Sequence, residues 1–148
     1  MVDLMTHAPE QGEANSAFNL RRWFRITPEQ SDGRMAVFEE EIPAGSGPPL
    51  HVHTVEHELF VVLSGRVLFH RDGHEVEGGP GSSILIPPGA VHAFKGIETS
   101  RVLVTLTPGQ GINFFRAVEA EGLSPANDMP RIIELGAEHD IEFKGPPL

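Results

Sequence analysis

The sequence predicts an all-β fold, an antiparallel sandwich or barrel with short helices near its C-terminal end. Three observations carry this expectation. Between residues 35 and 107, short apolar or alternating runs recur, each closed by a turn signal. The 148 residues include 16 glycines and 13 prolines, which suits many turns and opposes a helix bundle. After Pro108-Gly109 the pattern changes to helical spacing. With 39% hydrophobic and 22% charged residues, the chain has the length and composition for one domain around its own core.

Residues 1–17 are polar and aperiodic and read as a flexible N-terminal arm; residues 18–148 read as the single domain. Residues 19–26 have strand character, and Ser31-Asp32-Gly33-Arg34 is a turn. Residues 35–42 alternate, with Met35, Val37 and Glu39 on one face and Ala36 and Phe38 on the other. Residues 43–49, rich in proline and glycine, are loop. An apolar strand over 58–63 ends at Ser64-Gly65, and 66–71 and 74–77 form a hairpin about Asp72-Gly73. Residues 78–81 turn the chain. Strands over 83–86 and 91–95 flank Pro87-Pro88-Gly89, and 101–107 alternates as a strand. Asn113 is expected to cap a helix over 114–121 with Gly122 beyond its end. Asp128 is expected to cap a second, ended by Gly136.

Composition excludes several function classes. The formal charge is −10 with no basic patch, which argues against a nucleic-acid partner. The absence of cysteine removes disulfides, thiolate metal sites and cysteine nucleophiles. Residues 1–19 carry no basic segment followed by an apolar run, and no stretch approaches the roughly 18 apolar residues of a membrane span. The reading is a cytoplasmic protein with no membrane partner. Neither a phosphate-binding glycine loop nor a Gly-x-Ser-x-Gly elbow occurs.

Four residues are spaced as metal ligands: His51, His53, Glu58 and His92. His51 and His53 are two apart, so an extended segment points both imidazoles to one face. Glu58 lies five beyond His53, on the opposite face of any continuous strand, so residues 54–57 must bend for it to join them. Glu58 then shares its face with Phe60 and Val62, an apolar setting where an unpaired carboxylate is costly and a cation removes the cost. His92 follows the Pro87-x-Gly89 turn and shares parity with Phe94. Three imidazoles and one carboxylate, without sulfur, suit one divalent transition metal ion: Fe, Mn, Ni, Co, Cu or Zn.

With its flanking residues this set resembles the two motifs of the cupin family. The first motif is met by Gly45, His51, His53, Glu58 and Gly65, and the second by Gly81, Pro87, Gly89 and His92. The second motif's last position is Gly96 where the family has asparagine, a departure that touches no ligand. The motifs span residues 45–96, about a third of the chain. The resemblance implies a double-stranded β-helix, the jelly-roll barrel, with the metal inside and His51, His53, Glu58 and His92 as ligands. The chain resembles single-domain, quercetin-dioxygenase-like members. That implies a dioxygenase acting on a small aromatic or enolic substrate, with Glu58 both ligand and proton acceptor and Phe60, Val62 and Phe94 lining the pocket. The alternatives are an isomerase, cyclase or lyase using the metal as a Lewis acid, and a non-catalytic small-molecule-binding protein. Family habit and an exposed edge at residues 19–26 imply a homodimer.

Other candidates carry less. His57 should point away from the site, and Glu56 is a rival carboxylate that the spacing to Gly65 disfavours. His70 and His74 flank a hairpin tip and read as exposed; His7 and His139 have no companions. Arg22, Arg25 and Arg101 read as solvated strand-face residues, with anion binding the sharper alternative. Phe114 and Phe115 read as helix packing on the barrel, with a lid the alternative.

Overall fold

The computed structural model describes residues 6–148, and residues 1–5 of the expected arm lie outside it. Strands β1 (Glu13–Asn15), β2 (Arg22–Ile26), β3 (Ala36–Ile42), β4 (Pro49–His53), β5 (His57–Ser64), β6 (Val67–Arg71), β7 (His74–Gly78), β8 (Ser83–Ile86), β9 (His92–Gly96) and β10 (Ser100–Thr107) precede helices α1 (Ile112–Ala120) and α2 (Met129–Glu138) and strand β11 (Ile141–Pro147). They form two sheets, ordered β1-β2-β3-β10-β5-β8 and β11-β4-β9-β6-β7. All their strand pairs are antiparallel. The jelly-roll expectation therefore stands.

Alternation builds the sandwich. On β10, Ser100, Val102, Val104 and Leu106 are buried and the residues between them are not. On β5 the inward set is Glu58, Phe60 and Val62, and on β3 it is Ala36, Phe38, Glu40 and Ile42. The apolar members of these rows meet Val67, Phe69 and Phe94 of the facing sheet in one cluster. Each large side chain so buried contributes roughly 1.5–3 kcal/mol. A second cluster joins Phe114 and Val118 of α1, Ile132 and Leu135 of α2, and Ile141 of β11. The helices are thereby fixed to the barrel rather than trailing from it.

Several boundaries differ from expectation for local reasons. Part of the segment read as a loose arm is a strand, because β1 pairs with β2 in register Ala14 to Trp23. The edge of β2 is therefore covered by its own chain. The strand expected from residue 19 starts at Arg22, because Phe18 and Asn19 adopt φ of 61° and 58° in a short 3-10 turn. The tail, unassigned in the sequence, is β11 and pairs with β4. Helix α1 starts at Ile112 with Gly111 at its cap, so Asn113 lies in the first turn. Gly136 does not end α2 but lies within it. A β-carbon there would meet the Ile141 carbonyl oxygen at 2.9 Å and the Phe143 ring at 3.1 Å. The glycine permits helix and strand to touch, and the chain reverses instead at Asp140, φ 60°.

Candidate metal centre

His51 and His53 project from β4, and the inward parity read from their spacing is the one the strand adopts, both being buried. His92 opens β9, where it is the cross-strand partner of His51. The turn before it is fixed by a hydrogen bond from the Gly89 amide to the His53 carbonyl, 2.9 Å. Glu58 comes from the other sheet. Residues 54–56 leave β4 and carry the chain across the sandwich into β5, which is the bend the parity demanded. Gly65, at φ 81°, closes β5; a β-carbon there would fall 2.2 Å from Ser100 Oγ.

The four side chains converge. One potential ligand atom from each lies within 4.8 Å of the others, and all four residues are buried. Glu58 Oε2 lies 3.0 Å from His92 Nε2 and 3.3 Å from His53 Nε2. The outer nitrogens are spent elsewhere. His51 Nδ1 donates to the Pro49 carbonyl at 2.7 Å and His92 Nδ1 to the Ala90 carbonyl at 3.0 Å. His53 Nδ1 faces Glu56 Oε2 at 3.4 Å, long for a hydrogen bond. Neither atom has another partner among the described residues. Each ring thus has one nitrogen anchored outward by oxygen and one turned to the common point. This arrangement fixes tautomer and ring orientation for a metal.

The electrostatics agree with a site built for positive charge. Burial, then the neighbouring His92 and His53, hold His51 well below its ordinary value, so it is a neutral donor. Burial would lower His53 as well, but Glu58 and Glu56 outweigh it and push its pKa up to about 10. Burial would raise Glu58, yet His53 and His92 hold it well below the usual carboxylate range. A carboxylate kept anionic beside three ring nitrogens fits a divalent transition metal, and nothing in the donor set selects which one.

A small, partly enclosed cavity opens on His51, His53 and Glu58. Phe38, Phe60, Phe94 and Val104 form its barrel walls, and Phe114 and Phe115 of α1 with Phe143 of β11 cover it. Phe60 and Phe94, expected as pocket residues, both line this cavity. Val62 does not line the cavity. It is buried beside Gly78, further along β5, where the strand has left the pocket for the core. Phe114 and Phe115 both pack and line, because α1 lies across the cavity.

Sequence reasoning missed two features. Arg22 is not a solvated strand-face residue. It is buried, pairs with Glu40 at 2.5 Å and lines the cavity with it. The signal was available in parity, since Arg22 alternates with Phe24, and Glu40 with Phe38. Glu56 was weighed only as a rival ligand, whereas it lies behind His53. The remaining candidates stay outside. His57 and His74 are exposed, and His70 is half-buried, facing Glu75 at 3.5 Å rather than fully exposed. His139 binds the Leu135 carbonyl, and neither it nor His7 joins the centre. Arg25 pairs with Glu39, and Arg101 with Glu10, Glu39 and Glu41, away from the cavity.

With this geometry in place, comparison with known proteins gives the class. The cupin domain family matches residues 38–111, half of the chain, and the chain belongs to that family. Quercetin 2,3-dioxygenase of Bacillus subtilis (strain 168) is 29% identical over 112 residues, covering 74% of this chain and 33% of that protein. An uncharacterized protein of Methanocaldococcus jannaschii is 33% identical over 64 residues, 43% of this chain and 51% of that one. The chain therefore spans a third to a half of the length of these curated relatives. Among solved structures, an RmlC-like cupin from Shewanella frigidimarina matches with a TM-score of 0.62 at 17% identity, covering 73% of this chain and 94% of that one. A predicted oxalate decarboxylase from Thermotoga maritima matches at 0.58 and 22% identity, covering 60% and 80%. At these identities the likeness is one of fold. No helix among the described residues is long and apolar enough to cross a membrane.

Proposed function

We propose that this protein is a cytoplasmic, metal-dependent dioxygenase acting on a small aromatic or enolic substrate bound over His51, His53, Glu58 and His92. The observation that carries the reading is the convergence of three imidazoles and a carboxylate, of which His51, His53 and Glu58 line a phenylalanine-walled cavity. The likeness to a quercetin 2,3-dioxygenase over 74% of the chain supports it. The four residues would hold the ion, which when bound supplies a Lewis-acidic point with about two positions left for oxygen ligands. In this reading Glu58, which His53 and His92 hold anionic, would also be the acceptor of the substrate's hydroxyl proton. Phe60 and Phe94 receive the ring.

The test is oxygen uptake by protein loaded separately with Fe(II), Mn(II), Ni(II), Co(II), Cu(II) and Zn(II), against catechols, hydroxypyrones and flavonols. Substrate-dependent uptake with ring or chain cleavage supports the reading. Turnover that persists under nitrogen overturns it in favour of an isomerase, cyclase or lyase. Tight binding without turnover of any compound overturns it in favour of a binding protein. The functional unit is proposed to be a homodimer, on the exposed apolar face described below.

A further inference from the structure

We infer that the buried pair Arg22 and Glu40 is the second polar pole of this cavity, a specificity site for a neutral hydroxyl of the substrate remote from the oxygens that meet the metal. The inference rests on the reading of the cavity as the substrate site. Arg22 on β2 and Glu40 on β3 are cross-strand partners, and each side chain is 3% exposed. Both line the same cavity as His51, His53 and Glu58.

The arginine cannot swing freely. Its Nη1 donates to the Ala17 carbonyl at 2.6 Å, the Leu20 carbonyl at 3.1 Å and Asn15 Oδ1 at 3.3 Å. Its guanidinium lies 4.0 Å from the centroid of the Phe115 ring. Asn15 is itself held by the Phe115 carbonyl at 3.1 Å, which ties β1 and α1 to the same assembly. The pair is thus pre-set before any ligand arrives.

A buried ion pair of this kind is seldom more stable than an apolar replacement of equal volume. Phe38 and Phe60 show that this wall accepts apolar side chains. Stability is therefore a weak reason for the pair, and recognition is the stronger one. The pair has no net charge, so it is not an anion site. It offers donors from the guanidinium and an acceptor from the carboxylate, and a hydroxyl can engage both at once. Burial pushes Arg22 down and Glu40 up from their ordinary values, so both charges are poorly solvated and gain from an added hydrogen bond.

The test compares two ligands of matched size, 4-methylcatechol and 4-(hydroxymethyl)catechol. Their dissociation constants are measured by calorimetry under nitrogen on protein loaded with Co(II). The intact protein is expected to bind the hydroxymethyl compound roughly tenfold more tightly. The double variant Arg22→Met/Glu40→Leu is expected to lose that preference while keeping its metal content. Glu40→Gln, which keeps the volume, is expected to reduce the preference and carries the test if the double variant does not fold. No preference in the intact protein, or an unchanged preference in the variants, overturns the inference alone. Failure of both ligands to bind the intact, loaded protein overturns the proposed substrate class, and this inference with it.

Discussion

At the scale of single residues, the centre depends on what holds the outer face of each imidazole. His51 and His92 lean on backbone carbonyls, which no side-chain substitution removes. His53 leans on Glu56, a side chain that can be changed. Glu56→Gln removes the charge and keeps the volume, and is expected to weaken metal affinity by about tenfold or more with the fold intact. Metal titration followed by calorimetry reads this, and an unchanged affinity would remove Glu56 from the site. The protonation of His53 gives a second expectation. Its pKa is raised to about 10 in the protein alone, so below that pH an incoming ion must displace its proton. His51 and Glu58 are already deprotonated at neutral pH and add no further competition. Apparent affinity should therefore rise with pH from pH 7 to 9, as the ion displaces the His53 proton. Calorimetry in buffers of different ionisation enthalpy counts that proton, and a flat profile would contradict the assignment.

At the scale of elements, β5 divides its inward face between two tasks. Glu58 and Phe60 face the cavity, while Val62 joins the core near Gly78. Val62→Ala is accordingly expected to cost about 2 kcal/mol of stability in urea unfolding and to leave ligand affinity unchanged. A change in affinity at equal metal content would return Val62 to the pocket. Strand parity made Glu58, Phe60 and Val62 legible as one face, but parity does not say where along a strand the cavity ends. The same limit hid the role of Gly136. Its position in the sequence looks like a helix stop, and only the approach of β11 shows why a side chain is excluded there. Arg22 and Glu40 were hidden for a related reason. Each is ordinary in its own strand, and their partnership exists only in the register of β2 against β3.

At the scale of the whole molecule, the β5 and β8 end of the six-stranded sheet presents an apolar strip on its outer face. Leu59 pairs across strands with Leu85, and Leu103 with Val61, while Leu63 extends the row. Leu59, Leu63 and Leu85 are 38%, 45% and 51% exposed. A contiguous apolar strip on a sheet face favours burial against a like surface. This moves the expected dimer contact away from residues 19–26, whose edge β1 covers. Sedimentation equilibrium is expected to give about twice the 16.1 kDa chain mass, and Leu59→Glu with Leu85→Glu to return the monomer with its metal intact. A monomeric mass for the unaltered protein would refute the pairing.

The sequence by itself determined the sheet-rich class, the glycine and proline turns between the barrel strands, and the four converging residues. These depend on local rules: alternation along strands, glycine and proline at turns, and histidine spacing. The tertiary structure alone decided which sheet each ligand comes from, that α1 and β11 close the cavity, and that a buried arginine and glutamate face its interior. Those facts arise from register and packing between segments far apart in the chain, and no local pattern encodes a distance between two strands.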